Sequence, residues 1–243
     1  MIVEVTGPSG AGKTTYITNL LGKLEDKGLV TGAIHSASLN KSSDIPDVFS
    51  ELENQNIKTD IYAFPWAMLC LFRNPSFFIF CIIKIIKIDE CFPTKIAIAR
   101  SFLRKTGIYR FLSRRKFHDT VVCVDEGLIH SAHNFLVSRS SRIDASSVRK
   151  FAELCPVPDL LITVTAPAEV LVQRLKLRGD LSPRVRSDED IRNFANNAKQ
   201  MFDELGEVMT LHANYLNIDT YTTDECEAVT AGLLLVSQQY DVR

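Results

Sequence analysis

Short apolar runs alternate with longer amphipathic stretches along most of the chain. The runs predict five strands, at residues 2–6, 29–34, 120–124, 159–165 and 215–219. Apolar residues at helical spacing predict helices at 13–27, 128–137, 145–154, 168–177, 187–212 and 223–237. Strands that alternate with helices and are apolar at nearly every position indicate an α/β fold with a parallel, doubly wound sheet.

The longest stretch without a predicted strand is residues 36–118. It is polar up to residue 56 and then alternates between apolar and basic. We therefore predict a single domain over residues 1–243, with a helical insertion at about 36–118 between the second and third strands. The longest apolar run in the insertion is 77–83, far short of the roughly 20 residues that a membrane span needs.

The segment between the first strand and the first helix is rich in glycine and fits the pattern G-x-x-x-x-G-K-T. Glycines allow a loop to direct its backbone N–H groups at a phosphate, and the following helix adds its positive N-terminal end. The expected phosphate-binding residues are Gly7, Pro8, Ser9, Gly10, Ala11, Gly12, Lys13, Thr14 and Thr15. Lys13 would bring a charge to the β- and γ-phosphates, and the Thr14 hydroxyl would bind Mg²⁺. The loop therefore predicts binding of a nucleoside triphosphate with Mg²⁺.

Acidic residues follow the third predicted strand. Asp125 stands at its carboxyl end, where open α/β sheets bind ligands, and could hold Mg²⁺ opposite Thr14. The alternative is that Asp125 only caps the next helix. Glu126 is a second candidate for the metal or for the general base. His35, at the end of the second strand, is a further candidate base, and the sequence leaves the choice among the three open.

A basic cluster follows the fourth predicted strand. Arg174 and Arg178 are four residues apart, hence on one face of a helix, and Arg184 and Arg186 lie in the loop behind it. A basic loop at 179–187 could close over a triphosphate as a lid and stabilise the transferred group. We therefore predict that Arg174 and Arg178 contact the nucleotide and that Arg178 and Arg184 serve catalysis. The alternative is a solvated helix end.

Charge and cysteine content narrow the class of protein. The net charge is −1, yet residues 73–118 contain eleven Lys or Arg and two Asp or Glu. This block has no recognisable nucleic-acid module, so nucleic acid is not expected as a partner. Contact with a membrane surface is the less favoured alternative, and a homodimer is left open. Six cysteines without a C-x-x-C pair, and no signal peptide, indicate reduced thiols in a cytoplasmic protein.

Three segments together resemble the P-loop small-molecule kinases, a group that includes thymidylate kinase, nucleoside-monophosphate kinases and deoxynucleoside kinases. They are GPSGAGKTT, VVCVDEG as the Walker B strand, and LLITVTAPAEVLVQRLKLRGDLSPRVR. The matched parts cover about residues 1–35 and 119–220. The resemblance implies a five-stranded parallel P-loop NTPase sheet, the third strand beside the first, and ATP with Mg²⁺ as donor. Where these kinases have an acidic-Arg pair, this chain has Asp125-Glu126-Gly127, which leaves the acceptor open.

The sequence thus predicts an ATP- and Mg²⁺-dependent phosphotransferase that acts on a small molecule, with a nucleotide or nucleoside as the favoured acceptor. The insertion would form the acceptor side, and Arg73, Arg100 and Arg104 are its candidate contacts. The alternative is an ATP-binding regulatory switch or ATPase whose insertion engages a protein or membrane surface.

Overall fold

The computed structural model of the protein describes residues 1–27, 30–34, 57–114, 120–137, 142–178, 187–212 and 214–241. The strands in these ranges are β1 (Ile2–Thr6), β2 (Val30–Ile34), β3 (Thr120–Asp125), β4 (Leu160–Thr165) and β5 (Tyr215–Asp219). They form one sheet with the order β2-β3-β1-β4-β5. Every pairing is parallel, so the predicted α/β class and parallel sheet are confirmed.

Helices connect the strands in the described part of the chain. They are α1 (Lys13–Asp26), α2 (Ile57–Arg73), α3 (Pro75–Lys87), α4 (Phe92–Arg114), α5 (Ser131–Leu136), α6 (Ala145–Leu154), α7 (Ala168–Arg178), α8 (Asp188–His212) and α9 (Glu225–Asp241). Three of them, α2 to α4, lie between β2 and β3, where the sequence predicts the helical insertion.

The strand order places β1 at the centre of the sheet, between β3 and β4. The chain leaves β1 towards one edge of the sheet, because β2 comes next, and leaves β4 towards the other edge, because β5 follows. Open α/β sheets bind their ligands outside the carboxyl ends of strands whose connections diverge in this way. The glycine-rich loop after β1 lies at this point of divergence.

Helices cover both faces of the sheet. Val3 and Val5 belong to an apolar cluster that includes Leu20 of α1, whereas Ile2 packs with Phe111 of α4. Because successive side chains of a strand point to opposite faces, α1 and α4 lie on opposite sides of β1. The doubly wound arrangement explains why these strands are apolar at almost every position.

The insertion is packed tightly against itself and against the sheet domain. Helices α2 and α4 approach so closely at Gly107 that a Cβ there would lie 2.1 Å from the carbonyl oxygen of Ala63. Asp60 of α2 also binds Arg100 and Arg104 of α4. None of the described helices is on its own long and apolar enough to cross a membrane, while α2 and α3, bent by 112°, meet that criterion as a pair.

Some predicted bounds are wrong, and one alternative is excluded. Residues 128–130 form a turn rather than the start of a helix, so α5 begins only at Ser131. The last helix extends to Asp241, past the predicted end at 237. Because Asp125 is the last residue of β3 and α5 has His130 as its N-cap, Asp125 does not cap that helix. The five described cysteines are free thiols, as expected, and all except Cys91 are buried.

Candidate active site

The loop after β1 has the backbone conformation that its glycines predict. Gly7, Gly10 and Gly12 have φ values of +141°, +86° and +96°, a range that other L-residues rarely adopt. At Gly7 space is limiting as well, because a Cβ would lie 2.0 Å from the carbonyl oxygen of Val164 in β4. Strand β4 therefore packs directly against the loop and fixes its position at the end of the sheet.

The loop leads into α1, and its last glycine, Gly12, is the N-cap of that helix. Among the described residues no side chain caps this helix, and Thr14 and Thr15 in its first turn are exposed to solvent. The Pro8 carbonyl accepts the Ala11 N–H at 3.2 Å, which closes a turn from Pro8 to Ala11. An uncapped helix N-terminus with exposed hydroxyls is a suitable place for an anion.

Two side chains hold the loop from outside, one from α7 and one from the residue that follows β5. The Thr220 hydroxyl donates to the Ala11 carbonyl at 2.9 Å, and Nη1 of Arg174 donates to the Gly10 carbonyl at 3.0 Å. Arg174 also contacts the Thr220 hydroxyl at 3.3 Å. Arg174, expected from the sequence to contact nucleotide, thus binds the backbone of the loop itself. Thr220 has no motif that would have identified it.

Lys13 folds back over the loop and is buried. Its ammonium donates to the carbonyl oxygens of Gly7 at 3.0 Å and Pro8 at 3.2 Å. It also forms an ion pair with Oε1 of Glu126 at 3.3 Å. The loop lysine and the acidic pair after β3, which the sequence identifies separately, therefore lie side by side.

Asp125 and Glu126 owe their positions to the pairing of β3 with β1. Asp125 is buried and lies in register with Val5, and the Glu126 N–H donates to the Val5 carbonyl at 3.2 Å. Glu126 has a φ of +55°, the one left-handed non-glycine residue in the described part of the chain. Such conformations cost about 1–3 kcal/mol and concentrate at functional sites.

The residues present fit Mg²⁺ better than a tightly caged metal. No group of three or more His, Cys, Asp or Glu within the described ranges is arranged to hold a metal ion. Mg²⁺ keeps several waters and needs only one or two protein ligands beside the phosphates of a nucleotide. A single buried carboxylate, Asp125, and a single exposed hydroxyl, Thr14, match that requirement.

A buried histidine stands behind Glu126. Nε2 of His130 lies 3.6 Å from Glu126 Oε1, and its Nδ1 lies 3.2 Å from the Thr6 hydroxyl. Burial lowers the pKa of His130 well below its ordinary value, so the ring is neutral at pH 7. Interaction with His130 and with Lys13 lowers the pKa of Glu126. Since the ring is neutral, the cations that lower the pKa of Glu126 at pH 7 are the Lys13 ammonium and Lys105.

Glu4 supports the turn that carries Glu126. Its buried carboxyl accepts the His130 N–H at 3.1 Å and the N–H groups of Ile129 and Leu128. A Cβ on Gly127 would lie 2.7 Å from the Glu4 carboxyl carbon. Burial raises the pKa of Glu4 to about 7. The sequence interpretation missed this residue, although a lone acidic residue inside the apolar run Ile-Val-Glu-Val-Thr is a visible signal.

Lys105 brings the insertion to the site. It lies on α4, is partly buried, and interacts electrostatically with Glu126, Glu4 and Asp125. Burial lowers its pKa, and the carboxylates oppose that shift. The candidate contacts selected from the insertion were all arginines. Nothing in the local sequence pattern marks Lys105 as a residue of the site.

The arginines selected from the insertion have other surroundings. Arg100 and Arg104 bind Asp60 and line an open cavity of about 280 Å³ together with Phe64 and Ile96. Arg73 is exposed in the last turn of α2. Arg184, Arg186 and His35 lie outside the described residues, as does nearly all of the predicted lid at 179–187, and of Arg178 only the backbone, at the end of α7, is described.

No protein-family model matches the chain, and no curated protein is significantly similar to it. Solved structures similar to it include a deoxyadenosine kinase from M. mycoides with bound dATP (12% identity, 99% of both chains, TM-score 0.48). A thymidylate kinase from Ehrlichia chaffeensis (13% identity, 98% of both chains, TM-score 0.49) is another. A third is a shikimate kinase from Acinetobacter baumannii in complex with shikimate (16% identity, 98% of this chain and 93% of that one, TM-score 0.43). The chain resembles P-loop small-molecule kinases, but at this similarity no substrate or mechanism carries over.

Proposed function

We propose that the chain is an ATP- and Mg²⁺-dependent phosphotransferase acting on a small molecule, with a nucleotide or nucleoside as the favoured acceptor. The observation that carries this proposal is the 3.3 Å contact between the Lys13 ammonium and the Glu126 carboxylate, where the glycine loop meets the end of β3. A cation suited to a phosphate and an ionised carboxylate that can accept a proton from a hydroxyl thus lie together at the carboxyl edge of the sheet, where ligands bind in such folds.

Each group has a distinct part in this proposal. The backbone N–H groups of the loop and of the α1 N-terminus bind the phosphates, and Lys13 exchanges the Gly7 and Pro8 carbonyls for phosphate oxygens. Thr14 and Asp125 would hold Mg²⁺, which supplies positive charge to the β- and γ-phosphates. Glu126 accepts the proton of the acceptor hydroxyl. The hydroxyl oxygen bonds to the γ-phosphorus while the bond from that phosphorus to the departing ADP breaks.

The basic residues around the site complete the proposal. Arg174 fixes the loop backbone that contacts the phosphates. Arg178 and Arg184 would approach the transferred group when the segment 179–187 closes and excludes water. Lys105 faces the carboxylates from the insertion side and would meet the acceptor there.

The assay is ATP turnover against a panel of nucleosides, nucleoside monophosphates and small hydroxylated molecules, with ADP as the measured product. We expect Lys13→Ala to lower the acceptor-dependent rate by about 10²–10³-fold, because it removes a preorganised charge from the transferred phosphoryl group. Lys23→Ala, an exposed lysine of the same helix, is the control and should retain the rate. Near-parental turnover by a folded Lys13→Ala protein would exclude the assignment.

A regulatory ATP-binding switch is the second candidate, and the exposed apolar side chains of the insertion favour it. The same assay separates the two candidates. A phosphotransferase produces ADP in proportion to an added acceptor, whereas a switch produces little ADP whichever small molecule is supplied.

A further inference from the structure

The exposed apolar side chains of the protein are concentrated in one part of the fold. Of the sixteen large hydrophobic residues that are exposed in the described part of the chain, twelve lie between Ile57 and Ile96. Four of the exposed residues of α3 are isoleucines: Ile79, Ile82 and Ile83 are between 37% and 59% exposed and Ile86 is 64% exposed. We call the exposed sides of α2, α3 and the first turns of α4 the insertion face.

The insertion face is continuous from one helix to the next. The Lys95 ammonium of α4 donates to the Ile86 carbonyl of α3 at 2.7 Å. Ile96, the next residue, lines the same cavity as Phe64 of α2. The aliphatic side of α3 therefore adjoins the start of α4, which adjoins α2. Exposed apolar surface of this extent marks an interaction site.

The opposite sides of these helices are already buried in the protein. Phe77, Phe78 and Cys81 of α3 belong to the main apolar core, and Ala63 and Ala67 of α2 are buried as well. A helix with one side packed on a protein core cannot be surrounded by lipid, even though α2 and α3 together meet the length and composition criterion for a span. The insertion face is thus suited to lie on a surface rather than to cross a membrane.

The charge of the insertion face indicates which kind of surface it would bind. In the segments that form the insertion face, residues 57–96, the exposed charged side chains are mainly cations: Lys58, Arg73 and Lys87 are exposed, whereas Asp89 is the one exposed acidic residue. Pairing with a second copy of the chain would bring two such basic segments together. An anionic bilayer instead attracts basic side chains while its interface accepts isoleucine and phenylalanine. We propose that the insertion face docks the protein on the surface of a membrane that contains anionic lipid.

The test is co-sedimentation of the full chain with vesicles, without nucleotide. We expect at least tenfold stronger partitioning to vesicles with about 30% phosphatidylglycerol in phosphatidylcholine than to phosphatidylcholine alone, weakening as salt increases. The double variant Ile83→Asp/Ile86→Asp should lose this binding by at least about tenfold, because it places two charges in the apolar side of α3. The matched control is Leu211→Asp/Leu234→Asp, which alters two exposed leucines outside the insertion face.

Absence of vesicle binding by the parent would overturn the proposal, as would equal binding to both kinds of vesicle or equal losses in the two double variants. Sedimentation velocity without vesicles tests whether a second copy of the chain covers the insertion face instead. A parental dimer that Ile83→Asp/Ile86→Asp converts to monomer would assign the insertion face to a second copy instead. Vesicle binding is measured without ATP and ADP formation without vesicles, so failure of either proposal leaves the other standing.

Discussion

At the residue scale, Glu4 couples the stability of the fold to the geometry of the site. Its carboxyl lies under the turn that carries Glu126 and is buried among backbone N–H groups. Its pKa is raised from 4.5 to about 7, so the folded protein binds this proton more tightly than the unfolded chain. The stability it contributes is fully present below about pH 4.5 and is lost as pH rises through about 7.

Glu4→Gln should remove this dependence, because the amide cannot titrate. We expect the free energy of unfolding of the parent, relative to Glu4→Gln, to fall by about 2–3 kcal/mol between about pH 5 and about pH 8. Urea unfolding of both proteins at both pH values measures the difference and cancels the titration of groups that they share, such as His130. An unchanged difference would mean that Glu4 is ionised throughout this range.

Glu126 keeps a left-handed backbone conformation that glycine would adopt without strain. If its carboxylate is the base, Glu126→Gln should lower kcat by about 10²-fold or more, and it should also lower stability at pH 7, because it removes the carboxylate that pairs with the buried Lys13 ammonium. Glu126→Gly should be equally inactive yet more stable than Glu126→Gln, since both lack the ion pair with Lys13 and only the glycine variant relieves the strained φ. Steady-state kinetics and thermal unfolding measure both effects, and parental turnover by Glu126→Gln would assign the base to another group.

At the scale of elements, the contact of α2 with α4 depends on Gly107. Ala at this position would place a Cβ against the Ala63 backbone, so we expect Gly107→Ala to destabilise the protein by about 1–3 kcal/mol. Gly22→Ala on α1 is the matched control, since no atom lies within 4 Å of its new Cβ. It should stabilise by about 0.5–1 kcal/mol through helix propensity. Urea unfolding compares the two, and changes of the same sign would contradict the close approach.

The elements also show where sequence patterns suffice. Helix α6 and strand β5 have their predicted bounds. For α6 the signal lies in neighbouring residues, because Asp144 caps the helix by accepting the Ser147 N–H. The start of α5 was predicted three residues too early. Residues 128–130 direct their N–H groups to Glu4, a partner more than 120 residues away, and no local pattern contains that information.

At the scale of the whole molecule, the conformation of the glycine-rich loop and the parallel sheet follow from the sequence, because glycine patterns and apolar runs are properties of neighbouring residues. The sequence does not, however, reveal which apolar side chains of the insertion are exposed to solvent. The run 77–83 is apolar at every position, so its periodicity does not distinguish the buried Phe77 from the exposed Ile83. The meeting of Lys13 with Glu126 also depends on the pairing of β1 with β3, which only the assembled sheet provides.

The central place of β1 has a consequence for synthesis on the ribosome. This strand is made long before its neighbours β3 and β4, and at about 5–20 residues per second some 115 residues require roughly 6–23 seconds before β3 emerges. During this interval the apolar strand β1 has neither of its neighbours, so the growing chain exposes apolar surface that the finished sheet buries. The loop acquires its supporting contacts later still, because Gly7 packs against Val164 and the Ala11 carbonyl binds Thr220, which are both translated after β3. The glycine-rich loop is thus translated before the strands and side chains that hold it, and it is among the last segments to become whole.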